Sequence, residues 1–290
     1  MPAAAGNVVV SEIHYNPAVP TGGELSASSD KDEFEFVEIR NISATQTVNL
    51  TGCHFTGGLD YTFPATTLAP GAFAVIPRNT AAFAARYPSV PTLAHYYQPG
   101  ANFLGNSGDD FFLLNASAAE IAHVVYNDSG SVKWPASPDG SGPSLVLIAP
   151  LTNPDIANPL HWRASSANHG NPGATDALSP PAAPLADDDG DGVKNLVEHA
   201  VGTGVMPVAG SELVLGQRHM NFTLERNPLA DVDWTLQSAA SLTGAWSAVG
   251  TAYDITSRTT LPGGIERVIL RSTTPMSGPS AFLRASLTLP

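Results

Sequence analysis

The stretch V-V-V-S-E-I-H at Val8–His14, followed by F-E-F-V-E-I-R-N at residues 34–41, decides the fold. Each is a short run of β-branched and aromatic side chains bounded by Pro, Gly, Ser and Asp clusters, the pattern of a strand between turns. The signal recurs at residues 47–50, 61–63, 73–77, 111–114, 121–126 and 144–148. Such spacing predicts an antiparallel sandwich. Residues 80–87, with Phe83 and Tyr87 four apart, are the one helical turn expected among these strands. Glu12, Glu35 and Glu38 lie on or beside the strands and read as outward polar positions of a half-exposed sheet rather than as a shared acidic site.

Composition agrees with a loop-rich β protein. The 290 residues include 25 Pro and 26 Gly, and only 13% are charged. That length allows one large or two ordinary domains. The net charge of -13 and pI near 4.8 would repel a phosphate backbone, so nucleic acid is not an expected partner. Acidity is densest in residues 176–200, which hold six Asp and Glu against one Lys. Cys53 is the only cysteine, which excludes an intrachain disulfide and a Cys-rich zinc site and suggests a small buried hydrophobe. No run approaches the roughly 18 apolar residues of a membrane span, and the first residues lack the basic and apolar regions of an export signal.

Three parts follow from the pattern: a β-sandwich over 1–175, a linker over 176–205 with one short helix, and a small sandwich-like β-domain over 206–290. The linker opens with L-S-P-P-A-A-P-L at residues 178–185, whose prolines favour an extended spacer. A short helix pattern over 193–201, with Leu196, Val197 and Ala200 apolar, stops at Gly202. In the third part period two returns at Met220, Phe222 and Leu224, at Trp234 and Leu236, and at Val268 and Leu270, with a last strand expected over 282–289.

Between spacer and helix, D-D-D-G-D-G-V-K-N-L-V-E at 187–198 sets acids at positions 1, 3 and 5, Gly at 6, Asn at 9 and Glu at 12. This is the twelve-residue spacing of a calcium loop. A hard cation takes six to eight oxygens. Asp187, Asp189, Asp191 and a bidentate Glu198 would supply most of them, the Val193 carbonyl another, and Asn195 a further one directly or through water. Gly192 permits the sharp turn. Pro180, Pro181 and Pro184 forbid an entering helix, so the motif resembles the half-hands of dockerins and the Asp-rich repeats of thrombospondin type; no second loop accompanies it.

Catalytic patterns are weaker. His95, Asp109 and Ser129 occur in the chain order of a serine-protease triad, but in too short a span, and residues 127–130 read better as a turn. His161 and His169 could approach one another through a loop, but the eight histidines form neither a helical pair around a Glu nor a close Cys/His grouping, so no zinc site is expected. Trp134, Trp162, Trp234 and Trp246 read as core anchors before a sugar-stacking platform.

The first part also resembles the lamin-tail domain, an immunoglobulin-like sandwich found in nuclear lamins and as a module of exported bacterial proteins. The matching stretches are VVVSEIHYNP at 8–17, EFVEIRN at 35–41, VNLTGCHF at 48–55, YTFP at 61–64, LAPGAFAVI at 68–76, NSGDDFFLL at 106–114, IAHVVYND at 121–128, GPSLVLI at 142–148, and HWRAS with GNPG at 161–165 and 170–173. Residues 20–32 are longer and richer in Ser and Asp than a simple hairpin needs. The resemblance over 7–173 implies a non-catalytic scaffold or recognition module. Together these readings describe a secreted or cell-surface structural protein with a calcium-stabilised interdomain joint and protein or matrix components, or a second copy of itself, as partners. The alternative is a glycan-binding accessory region of a secreted hydrolase.

Overall fold

A computed structural model describes residues 1–96, 103–127, 133–202, 205–276 and 282–290. The chain forms two compact units, Met1–Asp176 and Ala177–Pro290. The protein is mainly β, and its sheets are antiparallel.

The strands of the first unit are, in chain order, β1 (Val8–His14), β2 (Phe36–Asn41), β3 (Val48–Asn49), β4 (His54–Thr56), β5 (Tyr61–Thr62), β6 (Thr67–Leu68), β7 (Phe73–Pro77), β8 (Gly108–Leu114), β9 (Glu120–Asn127), β10 (Leu145–Leu147) and β11 (Trp162–Ala164). One sheet runs β11-β10-β1-β2-β7 and the other β5-β4-β8-β9, while β3 and β6 pair separately. Val10, Ile13, Val37 and Ile39 of the first sheet share a core with Phe55, Phe111, Leu113 and Val124 of the second. The sandwich expected from the strand spacing is therefore present. Trp134 and Trp162 lie in the same core, 6.3 Å apart, with the Trp162 indole N–H donating to the Ile156 carbonyl at 2.8 Å. Cys53 is buried there too.

The opposite face of β1 and β2 is covered as well. Helix α1 (Thr80–Arg86) is capped by Asn79, whose side chain accepts from the Ala81 and Ala82 N–H groups. It sets Phe83 edge-on against Phe36, with centroids 5.6 Å apart. The long segment after β1 folds onto this helix: Glu24 pairs with Arg86 at 2.8 Å, and the Arg86 guanidinium lies 4.0 Å over the Phe34 ring. This second cover corrects the reading of Glu12, Glu35 and Glu38 as outward polar positions. All three are at most 1% exposed. Glu35 accepts from Arg78 at 3.0 Å and from the Tyr96 hydroxyl at 2.7 Å, and burial still pushes its carboxyl up to about 8.

The second unit contains α2 (Asn195–Val201), then β12 (Val208–Val214), β13 (Gln217–Arg226), β14 (Asp233–Ala239), β15 (Ser247–Ala248), β16 (Tyr253–Thr260), β17 (Glu266–Ser272) and β18 (Phe282–Thr288). These form a β12-β13-β17-β16 sheet and a β15-β14-β18 sheet. The period-two residues Met220, Phe222, Leu224, Trp234, Leu236, Val268 and Leu270 are all buried. Opposite Phe222 and Leu224 on the neighbouring strand stand Leu270 and Val268, so the alternation fixes the register. A second cross-strand pair, Arg226 and Glu266, is bonded at 2.8 Å.

Candidate metal centre

Residues 178–186 are fastened to their own unit, the Leu178 N–H donating to the Leu229 carbonyl at 2.7 Å. The spacer is not extended throughout as its prolines suggest: it turns at residues 183–186, where the Ala186 N–H donates to the Ala183 carbonyl at 3.1 Å. The helix beyond is fastened too. Leu196, Ala200 and Val201 are buried, the Asn227 N–H donates to the Ala200 carbonyl at 2.7 Å, and Gly202 ends the helix at φ 69. A left-handed residue after a helix favours glycine, as the sequence reading of that stop required.

Between these anchors the loop is shaped by its own aspartates. Asp187 accepts from Gly190 N–H at 2.8 Å through one oxygen and from Gly192 N–H at 2.9 Å through the other. Asp189 accepts from Asp191 N–H at 3.2 Å, and Asp191 from Val193 N–H at 2.7 Å. Gly190 and Gly192 adopt φ 77 and 95, which lets the backbone curl under the carboxylates. The consequence is convergence: one oxygen from each of Asp187, Asp189 and Asp191 lies within 4.8 Å of the others. Among the described residues no other three His, Cys, Asp or Glu side chains gather their ligand atoms so closely.

The other expected ligands are placed differently. Glu198 stands in the first turn of α2, and Asp189, Asp191, Asp187 and Asp188 add to desolvation in raising its carboxyl. It therefore lies within their field but outside the group of three. Val193 is in the loop, its N–H committed to Asp191. Asn195 braces the loop: its amide donates to the Ala183 carbonyl and to Asp188, each at 2.9 Å, and its oxygen accepts from Asp188 N–H at 3.1 Å. Asp188, which the spacing gives no ligand role, thus ties the loop to the helix start. Nothing in the twelve-residue pattern marks that role.

Residues weighed for other chemistry are engaged elsewhere. Asp109 staples a turn through Gly105 N–H and Asp110 N–H, each at 2.8 Å, and His161 faces the Asp155 carbonyl at 2.7 Å. Asp128, Ser129 and Gly130 lie outside the described residues. Trp134, Trp162 and Trp234 are buried, and Trp246 is half-exposed beneath Arg284 at 4.4 Å.

With this geometry in view, the comparison with protein families returns one match: residues 1–128 fit the model of the Lamin Tail Domain. The resemblance read from the strand signals thus holds over that part of the chain, an immunoglobulin-like β-sandwich. No characterised protein and no solved structure matches the chain.

Proposed function

We propose that the chain is a non-catalytic structural or interaction module of an exported protein, in which one calcium ion orders the stretch leading from the first unit into the second. The observation that carries the calcium reading is the convergence of Asp187, Asp189 and Asp191 in a loop whose positions 1, 3, 5, 6, 9 and 12 all suit the ion. Three carboxylates held so close repel one another, and a divalent cation removes that repulsion while their oxygens replace its water. Glu198 would close the shell from the helix, with Val193 and Asn195 completing it.

A lone half-hand has no partner helix to pivot against, so the ion acts as a brace rather than as a switch that opens an apolar groove. Extracellular sites of this chemistry bind at about 10⁻⁴ to 10⁻³ M. The lamin-tail match supports the module reading, because the domain type serves as a scaffold. Protein or matrix components, or a second copy of the chain, are the partners that suit it. Calorimetric titration with calcium tests the proposal: the wild type should give saturable heats, and Asp189→Ala combined with Asp191→Ala should abolish them. Identical heats, or none in either protein, would reduce the loop to a solvated acidic turn.

A glycan-binding accessory role is the second reading, favoured by an open groove of about 640 Å³ in the first unit lined by His54, Tyr61, Thr62, His95 and Tyr96. Titration with neutral oligosaccharides tests it, and unchanged spectra throughout would remove it.

A further inference from the structure

Glu12 and Glu38 face each other across β1 and β2 in a register set by a bulge between Val10 and Glu12. Each is 1% exposed. Their four oxygens are unequally served. Glu38 accepts from the Ser11 hydroxyl through one oxygen and from Gly173 N–H through the other, each at 2.6 Å. Glu12 Oε1 accepts twice, from the Ser144 hydroxyl at 2.5 Å and from Asn171 N–H at 3.0 Å. Its Oε2 is fully enclosed and accepts from no donor. An anionic oxygen left so is costly, and two enclosed carboxylates side by side resist double ionisation.

We propose that Glu12 and Glu38 form a single proton-binding site, with the proton on Glu12 Oε2 and the charge on Glu38, and that this half-ionised pair latches residues 169–173 onto the sheet. The latch has a fixed shape. Gly170 sits at φ 81, where a Cβ would run into Glu12 Oε1 and the Ser144 side chain, so the loop passes directly over the pair. Tyr87 at the end of α1 donates to the His169 carbonyl, and Arg163 of β11 holds Asp176 just beyond the loop.

The surrounding charges divide in the sense the assignment needs. Arg40 of β2 favours the charge on Glu38, whereas Asp176 disfavours one on Glu12. On β1 itself His14 is buried and held neutral, its pKa lowered to about 3 by burial and by Arg86, His169 and Lys31, so it supplies no compensating cation. Burial pushes both carboxyls up, Glu12 well above its ordinary range with Glu38 adding to the push, and Glu38 to about 7. A site that keeps its proton near neutrality loses it above, and two adjacent buried anions then expel the loop whose N–H groups they hold.

Carbon-13 titration of glutamate carboxyls in the full chain, with amide exchange followed in the same samples, tests this. One carboxyl of the pair should titrate near or above neutral pH. In the same step the Asn171 and Gly173 amides should lose protection by about tenfold per pH unit beyond the intrinsic rate, as expected for opening coupled to release of one proton. Glu12→Gln, neutral at every pH, should keep the loop protected and remove the step. Should that variant fail to fold, the wild-type titration decides alone. Both carboxyls titrating in the ordinary range, or loop protection independent of pH, would overturn the proposal.

Discussion

The loop at 187–198 and the pair Glu12–Glu38 both crowd carboxylates together, one in water and the other in a sealed interior. The first gathers Asp187, Asp189 and Asp191 at a mostly exposed turn, with backbone N–H groups as the available donors. The second sets two glutamates between a sheet and a covering loop, 1% exposed. Environment decides what relieves the repulsion. Exposed oxygens can exchange water for a cation, whereas oxygens sealed from solvent are relieved most simply by a proton. If the two proposals hold, the same chemistry should give sensitivity to calcium in one unit and to pH in the other.

The largest effect should come from removing a cation that a buried carboxylate does have. Arg78→Met leaves the fully buried Glu35 with only Tyr96, and at pH 9, where Glu35 is ionised, breaking such a pair should cost about 3 to 5 kcal/mol in urea unfolding. At pH 5 the loss should be much smaller, because Glu35 then carries a proton. Equal losses at both pH values would break the contrast between paired and unpaired buried acids.

Calcium comes next. At about 100-fold above its dissociation constant an ion bound only by the folded state adds about 2.7 kcal/mol. Thermal unfolding with calcium and with chelator should show a gain of this order in the wild type and none in Asp189→Ala combined with Asp191→Ala.

The pH dependence of the first unit has a definite sign. Carboxyls raised in the folded state contribute stability that is fully present below their ordinary range and lost as pH rises through the folded values. For Glu38 that window runs from 4.5 to about 7. His14 acts oppositely, since its lowered pKa costs stability as pH falls from 6.5 towards about 3. Stability should therefore peak in mild acid and fall towards pH 8, by about 1.4 kcal/mol for each pH unit over which one proton is lost. Glu38→Gln should flatten that decline in urea unfolding across pH 5 to 8, and an unchanged slope would remove Glu38 from the account. At the small end, Asp110→Asn breaks an exposed pair with His123 at 2.6 Å and should shift stability by less than about 1 kcal/mol.

The two sites were unequally legible in the sequence. The aspartate spacing, the glycines that curl the loop and Gly202 at the helix end are local signals within sixteen residues, and local chemistry can be read along a chain. Strands were legible for the same reason, through period two at Met220, Phe222 and Leu224. Glu12, Glu35 and Glu38 follow the same alternation, which marks them as solvent-facing, since a strand pattern says which face a residue takes but not whether a second layer covers it. The cover comes from far away: Ser144 lies 132 residues from Glu12, Asn171 lies 159 from it, and Gly173 lies 135 from Glu38. The role of Asp188 is hidden for a different reason. Its partner Asn195 is seven residues on, and the side chain that spacing assigns to a metal also braces the loop.

Hydrogen exchange of the full chain at constant pH, with calcium and with chelator, tests the central contrast most directly. Calcium should slow the amides of Gly190, Gly192, Val193 and the start of α2, while those of β1, β2 and the loop at 169–173 exchange at the same rate in both. Exchange in residues 187–198 that is indifferent to calcium, or a uniform slowing across both units, would contradict it.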